Sequence, residues 1–341
     1  MTDRMALARQ FLATTEWANA ESSLLAGDAS NRKYYRLGRP NSAETAVLMD
    51  APPEKGEDVR PFVHIAHHLL GAGLSAPRIL AGDEIKGFLL LEDLGDALFA
   101  RAIPDNPALE STLYATATDA LVALHDHAPP PGLAAYDPML MADMAALAVD
   151  WYANGAGKAD NGARQALHDA MHDLLAEHAA EATVLIQRDY HAENLLWLPE
   201  RAGVARVGLL DFQDAMLGHP AYDLVSLLQD ARRDVPADIE TRMIARYLAK
   251  TGLEKQAFQT AYRCLGAQRN LRILGVFARL CIRDGKRGYI DLIPRVWAHL
   301  QMDLAHPVLG PVARIVTDAL PEPTPVTLKK LSEKCATVPA L

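Results

Sequence analysis

The chain has 341 residues, half of them apolar and 23% charged, with a formal charge of -9 and a pI near 5.7. That length exceeds what one core comfortably fills and suits two packed units, while the acidic balance supplies no basic field for a nucleic acid or an anionic membrane surface. Cys264, Cys281 and Cys335 are too few and too scattered for a disulfide framework or a zinc knuckle, and the N-terminus lacks a secretory signal, so a cytoplasmic location is expected.

In chain order, residues 1–20 read as a helix, and 24–37 and 45–50 as strands broken by polar turns. Helical spacing returns over 58–70 and is closed by Gly71 and Gly73 before Pro77; strands follow at 78–82 and 87–92. Beyond Leu94 the apolar residues recur at helical intervals through Leu109, Leu113, Leu121 and Leu124, and again through Met141, Met144, Leu147 and Trp151. One β island interrupts this, with apolar runs at 183–187, 194–198 and 207–210, and helices resume from Tyr222 towards Leu300. The Pro-rich stretch after Leu320 reads as a poorly packed tail.

Polar residues cluster at the ends of the island's strands. Asp189 and Asn194 lie five residues apart on one loop, and Asp211 ends the next strand. Phosphoryl transfer needs such a set: one Asp to accept the proton of an attacking hydroxyl, and a second Asp with an amide oxygen to hold Mg²⁺ against phosphates. The pattern Asp189-x4-Asn194 followed by Asp211-Phe212 resembles the catalytic loop and metal motif of the protein-kinase superfamily. His191, two residues after Asp189, brings it closest to the aminoglycoside phosphotransferase and choline kinase branch. The resemblance implies an α+β fold of two lobes, a nucleotide-binding lobe at 1–92, a hinge at 93–95, a helical acceptor lobe at 96–320 and a tail at 321–341. It also implies an ATP- and Mg²⁺-dependent kinase of a small molecule.

A narrower similarity joins the segments beginning at Gly27, Val47, Gly87, Asp211 and Gly275 to the anomeric kinases that phosphorylate C1 of N-acetylmuramate and N-acetylglucosamine in cell-wall recycling. It implies an amino-sugar acceptor; a kinase of an aminoglycoside, choline or an amino alcohol, and a non-catalytic nucleotide sensor, are the competing readings. Asp28, Ala29, Ser30, Asn31 and Arg32 occupy the turn that covers the ATP phosphates in a kinase, and backbone groups of Glu92 and Leu94 would meet adenine. On the acceptor side stand Asp189, His191 and Gln213, with Arg269, Arg272 and Arg279 on one helix; three- and seven-residue spacings put these arginines on one face, suited to a lactyl carboxylate.

Two positions depart from the family pattern. Met49 stands where a kinase strand supplies its phosphate-binding lysine, and Gln187 stands in place of the catalytic-loop histidine. Three other signals carry no chemistry. Gly71-Ala-Gly lacks the strand–turn–helix context of a dinucleotide fingerprint, no P-loop occurs, and His64, His67 and His68 read as a solvated helix face.

Overall fold

The computed structural model describes residues 4–27, 31–158 and 162–339. They form two units, Met1–Pro130 with Ala192–Ala215, and Pro131–His191 with Met216–Leu341. The first is built on a sheet and the second on helices, the α+β division expected from the change in apolar periodicity.

In the first unit, helix α1 (Arg4–Leu12) precedes five antiparallel strands, β1 (Glu21–Gly27), β2 (Lys33–Gly38), β3 (Thr45–Asp50), β4 (Ile79–Asp83) and β5 (Phe88–Glu92), in the spatial order β1-β2-β3-β5-β4. Side chains alternate across a strand, so Ala46 and Leu48 of β3 join Phe11, Leu12, Leu37 and Phe88 in the core under α1, while Val47 faces the other way. Each large apolar side chain buried there contributes about 1.5–3 kcal/mol. Helix α1 is shorter than the pattern of 1–20 predicts. The hydroxyls of Thr14 and Thr15 turn back to the carbonyls of Phe11 and Leu12 at 2.7 and 2.8 Å, which ends the helix in a turn. Gly87 opens β5 with φ of 72°, and a Cβ there would stand 1.9 Å from the Ala51 carbonyl oxygen. Helix α2 (Arg60–Gly71) joins β3 to β4, and α3 (Phe99–Asp105) and α4 (Glu110–His125) follow. The hairpin of Leu195–Trp197 and Val207–Leu209 completes the unit.

The second unit contains α5 (Pro138–Leu147), α6 (Ala163–His178), α7 (Tyr222–Leu228), α8 (Ala237–Thr251), α9 (Lys255–Ile282) and α10 (Ile293–Leu304), with a short antiparallel pair of Val184–Ile186 and Met216–Gly218. Helix α9 is its axis and packs against α5, α6, α7 and α10. Gly275 permits one of these approaches, because a Cβ would lie 2.3 Å from the Leu147 backbone. The tail differs from expectation. After α11 (Gly310–Ala319), Pro325 occupies the first turn of α12 (Pro325–Glu333), Thr324 caps it and Leu331 is fully buried. Among the described residues no helix is long and apolar enough to cross a membrane.

Candidate active site

The first unit holds a cavity of about 460 Å³, walled by Val47, Leu91, Leu94, Leu196 and Leu210 and bordered by Asn194 and Asp211. Its size and apolar walls suit a planar aromatic group, with polar groups placed to orient it. Glu92 and Leu94, whose backbone is expected to meet adenine, both line it. The Glu92 carboxylate is occupied elsewhere, accepting from Arg78 at 3.2 Å and Arg201 at 2.8 Å. Beside it, Asp93 takes the forked guanidinium of Arg36 at 2.6 and 3.1 Å and the N–H of Gly95 at 2.9 Å. These partners fix the turn after β5. Arg36 and the expected hinge residue Asp93 meet side chain to side chain across 57 residues, a pairing that no short motif displays.

Asp211 follows the second strand of the hairpin and adopts φ of 57°, a left-handed conformation that costs a non-glycine residue about 1–3 kcal/mol. Three contacts hold it. Gln213 donates to its Oδ1 at 2.7 Å, Asn194 donates to its Oδ2 at 3.4 Å, and Phe212 is buried against Phe62 of α2 with ring centroids 4.8 Å apart. Gln213 therefore supports the Asp211 carboxylate within this unit. Asp211 and Asn194 are hard oxygen donors of the kind a divalent cation takes alongside phosphate oxygens and water, and the pair fits such an ion. Met49 is fully buried on β3. Asn31 is exposed and Arg32 largely buried; Asp28, Ala29 and Ser30 lie outside the described residues.

The second unit carries Asp189. Its neighbour Arg188 has φ of 71°, and both the Gln187 and Arg188 N–H groups donate to the carboxylate of Asp223, at 2.6 and 2.9 Å. Asp223 is fully buried in the first turn of α7, and burial pushes its carboxyl up to about 7 despite those two hydrogen bonds. Ser226, one turn on, donates to the Arg188 carbonyl at 3.4 Å and accepts from Arg269 at 2.8 Å. Gln187 is itself buried, and its side-chain Nε2 makes no hydrogen bond among the described residues. Its contribution to the loop is the main-chain bond to Asp223.

Burial alone would raise the Asp189 carboxyl, but Arg272, Arg269, His191 and Arg188 more than offset it and hold Asp189 below the ordinary carboxylate range. It is an anion at neutral pH. Burial lowers His191 to about 4, so the imidazole is neutral, and its Nε2 lies 3.3 Å from Arg232. The three arginines of α9 differ in placement. Arg269 is 3% exposed and works from behind the loop through Ser226. Arg272 is partly exposed beside Tyr222, Tyr136 and Asp189. Arg279, also partly exposed, has a buried Nε with no hydrogen-bond partner among the described residues. Asp223 and Arg232 touch the loop from more than 30 residues away, and Asp230 acts on His191 by its charge; no local pattern in the sequence marks these three.

A sequence model of the phosphotransferase enzyme family matches residues 21–261. The N-acetylmuramate/N-acetylglucosamine kinase of Caulobacter vibrioides is 41% identical, over 91% of this chain and 94% of that one. The enzyme of the same name from Pseudomonas aeruginosa is 37% identical, over 84% of each. Among solved structures, a choline kinase from Streptococcus pneumoniae superimposes with a TM-score of 0.57 at 13% identity, over 87% of this chain and 99% of that one.

Proposed function

The chain belongs to the phosphotransferase enzyme family and is a small-molecule kinase with a two-lobed kinase fold, using ATP and a divalent metal, and we propose that it phosphorylates the C1 hydroxyl of N-acetylmuramate and N-acetylglucosamine with Mg²⁺ as the metal. The observation that carries the acceptor is the 41% identity to a kinase of that name along nearly the whole of both chains. Partly exposed Arg272 and Arg279 support it, since a lactyl carboxylate needs a cation and a guanidinium pairs with both of its oxygens.

In this reading Asp189 orients the sugar hydroxyl and takes its proton as the oxygen bonds to the γ-phosphorus; the bond from that phosphorus to the bridging oxygen breaks and ADP leaves. Asp211 and Asn194 hold the metal, and Gln213 keeps the Asp211 carboxylate in place. When bound, Mg²⁺ supplies charge that neutralises the phosphates and the developing negative charge. Arg269, Ser226 and Asp223 fix the Asp189 loop; Glu92 and Leu94 receive adenine through their backbone. His191 acts as a neutral hydrogen-bonding group towards the acceptor. With ATP as donor, the reaction belongs in the cytoplasm, with no nucleic acid or membrane as partner. Acceptor-dependent ADP release, measured across amino sugars, aminoglycosides, choline and amino alcohols, tests the assignment; turnover confined to choline or an aminoglycoside would replace the acceptor. ADP release with no acceptor in the panel would support the sensor reading instead.

A further inference from the structure

Strand β3 brings no cation to the nucleotide cavity. Val47 lines the cavity, and Met49, two residues on and so on the same face, is fully buried and uncharged. In the register of the sheet Met49 pairs with Tyr34 of β2, and Tyr34 also lines the cavity. Arg32, the residue just before β2, stands two positions ahead of Tyr34, so continuing the strand's alternation puts it on that same face, one step beyond Met49.

The surroundings of Arg32 are built to hold a guanidinium. Glu57, in the turn between β3 and α2, accepts from Arg32 Nε at 2.7 Å through one carboxylate oxygen and from the Asn31 N–H at 2.9 Å through the other. Both side chains are largely buried, 12% and 11% exposed, unlike a solvated surface pair. Burial disfavours the Arg32 charge, and Tyr34, Glu57 and Asp214 more than restore it. Asp214 lies three residues after Asp211, so the guanidinium is electrostatically coupled to the metal-motif loop.

We infer that Arg32, oriented by Glu57, binds the nucleotide phosphates in place of the missing β3 lysine, the cation having moved to the residue that leads into the neighbouring strand. This rests on reading the cavity as the nucleotide site. Pairing through Nε makes Glu57 the orienting carboxylate, and the forked guanidinium matches phosphate oxygens better than an ammonium does.

The test compares adenosine with Mg·ADP by calorimetry, because adenosine fills the apolar cavity and has no phosphates. Arg32→Ala is expected to weaken Mg·ADP by roughly 10- to 150-fold and to leave adenosine within about twofold. Arg32→Lys, which keeps the charge and loses the Nε contact, is expected to give an intermediate loss. Glu57→Gln should lower kcat with ATP by about tenfold while adenosine binding stays unchanged. Should Arg32→Ala fail to fold, the lysine and glutamine variants make the same comparison. Equal losses for adenosine and Mg·ADP would make the pair structural, and unchanged Mg·ADP binding in the Arg32 variants would overturn the inference. A wild-type protein that bound neither ligand would remove the kinase reading itself.

Discussion

The carboxylate of Asp223 accepts the backbone N–H of Arg188 at 2.9 Å, and so holds a left-handed residue immediately before Asp189. Such a conformation persists only where its surroundings over-determine it, at a cost of about 1–3 kcal/mol. Asp223→Asn keeps the volume and removes the charge that both N–H groups receive. It is expected to lower kcat by about 10- to 100-fold, in proportion to a charge-assisted hydrogen bond, with little change in the KM for ATP. An equal rise in the ATP KM would mean that Asp223 serves the nucleotide.

Asp189→Asn removes the proposed proton acceptor without removing bulk. The kcat is expected to fall by about 10²- to 10⁴-fold, as for the loss of a positioned base, with ATP affinity retained. Near-normal turnover would exclude Asp189 from the chemistry.

Asp211→Ala deletes the carboxylate that Gln213 and Asn194 hold in place. Turnover should become undetectable at any Mg²⁺ concentration, while adenosine, which needs no metal, still binds. Unchanged Mg·ATP binding and an unchanged rate would move the metal elsewhere.

Burial raises two carboxyl groups of the second unit, Asp223 and Asp303, to about 7. Asp303 accepts from Gln229 at 2.9 Å, Arg263 at 3.1 Å and Asn270 at 3.2 Å, yet desolvation outweighs them. A folded-state value above the unfolded one means that the native protein binds more protons between about pH 4 and 7. The stability from these groups is full below pH 4 and is lost as pH rises through 7. Each proton contributes up to about 1.4 kcal/mol per pH unit to that slope. Urea unfolding between pH 5 and 8 should show the decline, and Asp303→Asn should reduce its steepness as well as lower stability. An unaltered slope in the variant would mean that Asp303 does not titrate there.

The proposed roles of Arg279 and Arg272 would separate the two sugars by charge. Either Arg→Ala change should reduce kcat/KM for N-acetylmuramate by roughly 10- to 150-fold and spare N-acetylglucosamine, which has no carboxylate. Equal losses on both sugars would make these arginines part of the scaffold.

The meeting of Asn194 with Asp211, and the loop that carries Asp189, follow from short spacings on strand-flanked loops that the sequence displays. What supports them does not. Asp223 reaches Arg188 across 35 residues and Glu57 reaches Arg32 across 25, and nothing local distinguishes either carboxylate from a solvated one. Arg269 was grouped with Arg272 and Arg279 by helical spacing, which fixes a face and not the depth at which each residue sits. Prolines after Leu320 read as breakers, although Pro325 is placed where its missing N–H costs nothing, so α12 was overlooked. At Met49 the missing lysine is visible in the sequence, whereas the replacement proposed for it rests on the register that pairs Met49 with Tyr34.

The most direct measurement is ³¹P NMR of the product formed from ATP, Mg²⁺ and either N-acetylglucosamine or N-acetylmuramate, with ADP release followed in the same sample. Acceptor-dependent ADP and a sugar phosphate whose phosphorus couples to the anomeric proton are expected for both sugars. No acceptor-dependent ADP with either one, or phosphate on any other hydroxyl, would contradict an anomeric amino-sugar kinase.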